Sequence, residues 1–243
     1  MERRTKRITN EIKELHKSTD VFAENGIYFH IEDDNMNIIY TMFVGQKNTP
    51  YEGGFYFVKF EYPSDYPMQP PKATYCTQGY FEKNIKIRFN PNLYTCGKVC
   101  LSMLNTWSGP GWVPTNTITN VLIALQALVL NEQPLQNEPG FENASKEVLA
   151  KYNKVIEYAN IKTAVIEMFT NPPPKFEVFI PKMEEILKKN IDFYRNYILT
   201  RNSELNKKEV ESPAYGMKIV LDYETIFAKF DSLNLDESDA SVI

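Results

Sequence analysis

The sequence predicts an α+β fold: an N-terminal helix, a four-stranded antiparallel meander, a central buried helix and a set of C-terminal helices. Three observations predict it. Four β-rich runs follow one another within residues 27–76, too closely for parallel crossovers, which need about a dozen or more intervening residues. A helix-length tract, 118–130, carries no charge at all. Beyond residue 145 the apolar positions recur at helical spacing.

The opening stretch is amphipathic: Ile8, Ile12 and Leu15 share one face, with basic residues around them. The strands are expected at Ile27–Ile31, Ile38–Val44, Phe55–Tyr62 and Lys72–Cys76, bounded by turn formers such as Asp33-Asp34-Asn35 and Gly53-Gly54. Prolines at 63, 67, 70 and 71 lack the donor a sheet ladder needs, so 62–71 is a rigid loop between the last two strands. Residues 78–111 show no long periodic segment. Thr115 or Thr117 can cap the next helix, lined by Ile118, Val121, Leu122, Leu125, Leu128 and Val129. Because Ile123, Ala124 and Ala127 are apolar too, this helix is expected to be buried nearly all round. A further helix spans Lys146 to Phe169 and is stopped by Asn171-Pro172-Pro173-Pro174. Another runs from near Pro181 toward Asn202 with the stripe Met183, Ile186, Leu187, Ile191, Tyr194 and Ile198, and a short one covers Tyr223–Leu233. The expected organisation is a core at 1–168, a helical extension at 175–235 packed on or beside it, and a disordered acidic tail at 236–243.

Composition narrows the function. Of 243 residues, 43% are hydrophobic, enough for one large domain or a domain with a packed extension. A net charge of −4 argues against a general nucleic-acid binder, although Arg3, Arg4, Lys6, Arg7 and Lys13 make the first helix locally basic. No secretory leader is expected, and the longest apolar run, Val121–Leu130, is too short for a membrane span. Three cysteines, an odd number, do not form a disulfide framework, which points to a reducing cytoplasmic or nuclear setting.

The segment that carries chemistry runs from Arg88 to Leu101. It offers Cys100 in irregular chain, after a glycine turn at Gly97, with amide side chains eight and ten positions earlier at Asn92 and Asn90. An asparagine beside a thiol can donate to an oxyanion without acting as a proton acceptor, which suits acyl transfer. Both histidines, His16 and His30, are far away in sequence, against a protease whose thiol needs an imidazole partner. Cys76 reads as a small core residue and Cys96 as loop packing; a zinc site on Cys96 and Cys100 lacks further nearby ligands, so no metal is expected. The tract between Lys98 and Glu132 is free of charge. That is core composition, and a reactive thioester also survives best where water is partly excluded.

These residues resemble the ubiquitin-conjugating (UBC) family, whose signature is an Asn-containing tripeptide, a glycine and an aliphatic-Cys-Leu step. Asn92, Gly97 and Val99-Cys100-Leu101 fit it. Tyr51-Glu52-Gly53-Gly54-Phe55, Tyr62-Pro63 through Pro70-Pro71-Lys72, and Trp112-Val113-Pro114 match further motifs in order, over roughly residues 5 to 165. The family tripeptide usually begins with histidine; Asn90 stands here, so the bonds bracing the loop must differ. That departure, with extra residues after Cys100 and the long helical tail, resembles a subgroup of large members, some of which serve ubiquitin-like modifiers.

The resemblance implies a two-step acyl transfer, with Cys100 taking the modifier from an activating enzyme as a thioester and passing it to a lysine of a protein substrate, usually with a ligase. A free thiol titrates at roughly 8.5, so no strong base is needed, whereas a lysine at about 10.4 must lose a proton. Asn92 is the oxyanion donor or a loop brace, and Asn90 a loop brace. Asn137, Glu138 and Ser102 are candidates for a gate that orients the incoming lysine. Arg3, Arg4, Lys6 and Arg7 are expected to contact the activating enzyme, and Met68 and Pro114 a ligase. ATP belongs to the upstream enzyme, so no cofactor is expected. The alternative is a catalytically silent modifier-binding domain of the same fold, which typically lacks the cysteine.

Overall fold

The computed structural model describes residues 2–235. Helix α1 (Glu2–Lys17) and the short α2 (Thr19–Glu24) lead into the sheet β1 (Ile27–His30), β2 (Ile38–Val44), β3 (Phe55–Glu61) and β4 (Lys72–Tyr75), ordered β1-β2-β3-β4. Every pair is antiparallel, with Ile27 opposite Phe43, Phe43 opposite Tyr56 and Val58 opposite Tyr75. One face meets the helices: Phe29 stands edge-on to His16 of α1 and Phe22 of α2, and Tyr56 packs on Tyr51 and Phe89. Tyr56 also donates to Asn160 Oδ1 at 2.5 Å. The other face is covered by the segment after the triple proline, where Phe176 lies against Tyr40 and Phe57, and Phe179 against Phe57.

Helix α3 (Ile118–Ala124) starts where Asn120 Oδ1 accepts from the Thr117 N–H at 2.9 Å, and runs on in π geometry through Leu125–Val129. The expectation that this helix is buried nearly all round is corrected. Ile118, Val121, Leu122 and Leu125 are buried, but Ile123 is 52% exposed, Leu128 is 59% exposed, and Ala127 faces solvent with them. Helix α4 (Lys146–Ala159), capped by Ser145, continues through a π segment (Asn160–Glu167) into α5 (Met168–Thr170). The single helix expected from Pro181 is two, α6 (Ile180–Lys189) and α7 (Ile191–Leu205). Asn190 leaves helical geometry, and its side-chain amide donates back to Ile186 O at 2.8 Å. A hairpin, β5 (Glu209–Glu211) with β6 (Lys218–Val220), precedes α8 (Tyr223–Asp231). It was not expected. The extension shares one hydrophobic core with the rest, with Met183, Leu187, Tyr194, Met217 and Leu221 fully buried. The tail expected at 236–243 lies outside the described residues.

Buried Glu11 ties three elements together. Its Oε1 accepts from Arg7 and from the Tyr66 hydroxyl at 2.6 Å, and its Oε2 accepts from the Ile118 N–H, at the start of α3, at 2.9 Å. This carboxylate fixes α1 and the proline-rich loop against the helix that follows the Cys100 segment.

Candidate active site

The Cys100 loop is held by backbone pairing outside any regular element. Tyr94 and Lys98 close a turn in which Gly97 takes φ +89°, a region that disfavours a Cβ. The Gly97 carbonyl accepts from the Tyr75 N–H at 2.8 Å, which fastens the turn to β4. Cys100 itself is locked on both sides: its N–H donates to Asn92 O at 2.8 Å, and Asn92 Nδ2 donates to Cys100 O at 2.7 Å. Thr106 continues the clamp, its hydroxyl accepting from the Leu101 N–H at 2.9 Å and lying 2.7 Å from Val99 O.

Asn90, with 0% exposure, is the anchor beneath this loop. Its Oδ1 accepts from the Asn92 N–H at 2.8 Å, and its Nδ2 donates to Val129 O at 2.6 Å and to Tyr51 Oη at 2.9 Å. Tyr51 donates onward to Phe89 O at 2.8 Å. The loop is therefore bolted to the end of the π segment and to the β2–β3 connection. Arg88, to which the sequence assigned no role, adds a third support: Nε donates to Asn90 O at 3.0 Å, Nη2 to Pro91 O at 2.6 Å, and the guanidinium lies 3.6 Å from the Tyr94 ring centroid. No sequence spacing announces Arg88, because its partners are carbonyls of a loop whose shape the sequence does not spell out.

Cys100 is 1% exposed and sits in an open cleft of about 500 Å³ lined by Tyr94, Lys98, Asn105, Thr106, Trp107 and Ser108. Residues 105–108, soon after Cys100, thus build one wall of the cleft, with Trp107 as its apolar part. Asn105 shapes that wall: it takes φ +56°, and its Oδ1 accepts from the Trp112 N–H at 2.8 Å. Of the other cysteines, Cys96 is exposed in the turn, and Cys76 is half-buried, where burial pushes its thiol up. Asn92 Oδ1 is buried and has no partner among the described residues.

The remaining expected residues fall in four places. Ser102 opens the 3-10 turn Ser102–Leu104 just beyond Cys100, and Gly109 folds back against it. Asn137 and Glu138 do not line the Cys100 cleft; Asn137 Nδ2 donates to Leu128 O at 3.1 Å, beside the exposed face of the central helix. Of the basic cluster, Arg3 and Lys6 are exposed, whereas Arg4 and Arg7 turn inward: Arg4 donates to Pro63 O at 2.7 Å and Tyr62 O at 2.9 Å, and Arg7 to Asn116 O at 2.7 Å. Met68, 65% exposed, and Pro114, also exposed, are brought to one surface because the Trp112 indole N–H donates to Pro67 O at 2.7 Å.

The sequence profile of the family described as "Ubiquitin-conjugating enzyme" matches residues 7–164. Ubiquitin-conjugating enzyme E2 Z of Xenopus tropicalis is 33% identical over 229 residues, covering 94% of this chain and 70% of its own length. The human E2 Z is 39% identical over 189 residues, covering 77% of this chain and 51% of its own length. The probable ubiquitin-conjugating enzyme protein 17 of Caenorhabditis elegans is 36% identical over 187 residues, 74% of this chain and 25% of its own. The chain thus spans about half the length of the human relative and less of the nematode one. A profile match over more than half the chain, on the helix–meander–helix order described above, carries the assignment: this chain belongs to the ubiquitin-conjugating enzyme family.

Proposed function

We propose that Cys100 carries ubiquitin or a ubiquitin-like modifier as a thioester and passes it to a lysine. The observation that carries this reading is the reciprocal pair of bonds between Cys100 and Asn92, which fixes the Cys100 backbone at the floor of an open cleft. In the first step the Cys100 thiolate attacks the thioester of a charged activating enzyme, whose thiolate leaves. In the second the lysine nitrogen attacks the Cys100 thioester carbonyl. A C–N bond forms, the C–S bond breaks, the Cys100 thiolate leaves and the amine proton passes to solvent. Asn92 braces the loop at rest through Nδ2. Rotation of that amide toward the tetrahedral carbon would supply an oxyanion donor, replacing its bond to Cys100 O. Asn90 is the brace that holds Asn92 in place. Lys98 puts a cation in the cleft where the thiolate forms and departs.

The partners follow from position. Exposed Arg3 and Lys6 are the part of the basic helix free to meet an activating enzyme, while Met68 and Pro114 form the surface offered to a ligase. Glu138, Asn137 and Ser102 remain the candidates to orient the lysine. The Asn90-Pro91-Asn92 tripeptide and the packed extension support placement among the large members of the family, working in the cytosol or nucleus. A Cys100→Ser variant tests the acyl chemistry: incubated with activating enzyme, ATP and ubiquitin, it should accumulate an oxyester that resists reductant but yields to hydroxide. Absence of that adduct, with an activating enzyme that charges a control conjugating enzyme, would refute the assignment of Cys100.

A further inference from the structure

The turn between β5 and β6 reaches out of the extension and lands on the supports of the Cys100 loop. Met217, fully buried, accepts at Sδ from the Arg88 N–H at 3.3 Å. The Tyr215 ring lies 4.9 Å from the Arg88 guanidinium, which rests on Tyr94 at 3.6 Å. Arg88 is thus stacked with two tyrosines, one of which lines the Cys100 cleft and the other of which belongs to the extension. Such contacts fix a guanidinium in orientation as well as place. This guanidinium donates to the carbonyls of Asn90 and Pro91, in the tripeptide that holds Cys100.

The other end of Tyr215 is anchored too. Its hydroxyl donates to Glu138 Oε2, and burial together with that carboxylate pushes the phenol well up, so it remains the donor throughout the working pH range. Tyr215 takes φ +64°, a left-handed conformation uncommon for a residue with a Cβ and one that a plain hairpin turn would give to glycine. Gly216 takes φ +62° as well, so the turn has two left-handed positions in a row and glycine fills only one of them. What the strained backbone achieves is to place one ring against Arg88 while its hydroxyl reaches the 134–138 turn.

We propose that Tyr215 is a positioning residue for lysine transfer: it sets the catalytic loop, through Arg88, and the turn bearing Glu138 in fixed relation to each other. The extension is then a working part of the transfer site. This rests on the thioester reading above. Charging brings Cys100 to a thioester held by the activating enzyme. Transfer to lysine depends instead on this chain's own loops, and a displacement of about 1 Å there can cost on the order of a hundredfold.

The test is single-turnover discharge of the purified full chain, precharged with ubiquitin, to free lysine across a range of lysine concentrations. Tyr215→Ala should lower the maximal rate about tenfold, with the half-saturating lysine concentration changed by less than about twofold and charging near wild type. Tyr215→Phe keeps the ring on Arg88 but cuts the bond to Glu138, so it should fall between the two, about threefold below wild type. Wild-type discharge by Tyr215→Ala would overturn the proposal. So would a Tyr215→Phe rate equal to that of wild type or of Tyr215→Ala, which would leave one of the two contacts idle, or equal losses of charging and discharge, which mark a general folding defect. Failure of the wild-type chain to form a reductant-sensitive conjugate would instead refute the thioester reading itself, so the two failures are distinguishable.

Discussion

Replacing Asn90 by alanine should destabilise the chain by about 3 kcal/mol, because it strands buried backbone groups at the heart of the site. The side chain makes three bonds: to the Asn92 N–H at 2.8 Å, to Val129 O at 2.6 Å and to Tyr51 Oη at 2.9 Å. Tyr51 keeps its bond to Phe89 O, so it loses least. The Asn92 N–H and Val129 O lose their side-chain partner, at about 1–3 kcal/mol for each buried group left unsatisfied. Against a total stability of about 5–15 kcal/mol the loss is large. Urea unfolding followed by the fluorescence of Trp107 and Trp112 measures it; with a slope of about 3 kcal/mol per molar, the midpoint should fall by about 1 M. Asn90→Asp sharpens the test. The isostere keeps the bond from the Asn92 N–H but sets a carboxylate oxygen against Val129 O in a buried site, which raises its folded-state pKa. A raised carboxyl pKa means that stability present below the unfolded value is lost as pH rises toward and through the folded value. The Asn90→Asp deficit should therefore grow between pH 5 and pH 8, by at most about 1.4 kcal/mol per unit. An Asn90→Ala midpoint within about 0.3 M of wild type, or an Asn90→Asp deficit flat in pH, would refute the anchor.

Three further outcomes follow from the same structure. Glu11→Ala removes the carboxylate that accepts from Arg7, Tyr66 and the Ile118 N–H; it should cost about 3 kcal/mol and lower the melting temperature by about 6–12 °C in a thermal scan. Asn92→Ala should slow discharge to free lysine by about a hundredfold and affect charging less, as measured by paired single-turnover assays; equal losses would leave only a bracing role. Asp222 caps α8 through the Thr225 N–H at 3.1 Å and pairs with Lys207, which holds its carboxyl below the usual range. A depressed carboxylate contributes stability above its unfolded pKa and loses it as pH falls through the folded value. Asp222→Ala should therefore cost about 1 kcal/mol at pH 7 and nearly nothing at the acid end, with the solvent-exposed ion pair adding little.

Local signals made the meander and the candidate nucleophile legible. The strands fall where β-branched and aromatic runs stop at Asp33-Asp34-Asn35, Gly53-Gly54 and the prolines, because turn chemistry is written in adjacent residues. Cys100 and Asn92 stand out for the same reason, their spacing being local. The central helix was misread because apolar residues all round, Ile123, Ala127 and Leu128 included, have the same composition whether they face a core or open solvent. The β5–β6 hairpin gave no periodicity to find, since its strands are three residues each. Asn190 interrupts a continuous apolar stripe, and a single asparagine is a weak stop signal. Least legible were the long-range contacts of charged and polar side chains. Glu11 reads as one more solvated helix residue, Arg4 and Arg7 as part of a basic surface, and the pairing of Arg88 with Tyr215 spans more than half the chain.

The most direct test of the account is the mass of the intact chain after incubation with activating enzyme, ATP and ubiquitin, taken with and without reductant, for wild type and Cys100→Ala. The wild type should gain the mass of one ubiquitin less one water, lose it on reduction, and do so equally when exposed Cys96 is changed to serine. Charging that persists in Cys100→Ala, or that vanishes with Cys96 instead, would contradict the claim that the residue held by Asn92 carries the acyl group.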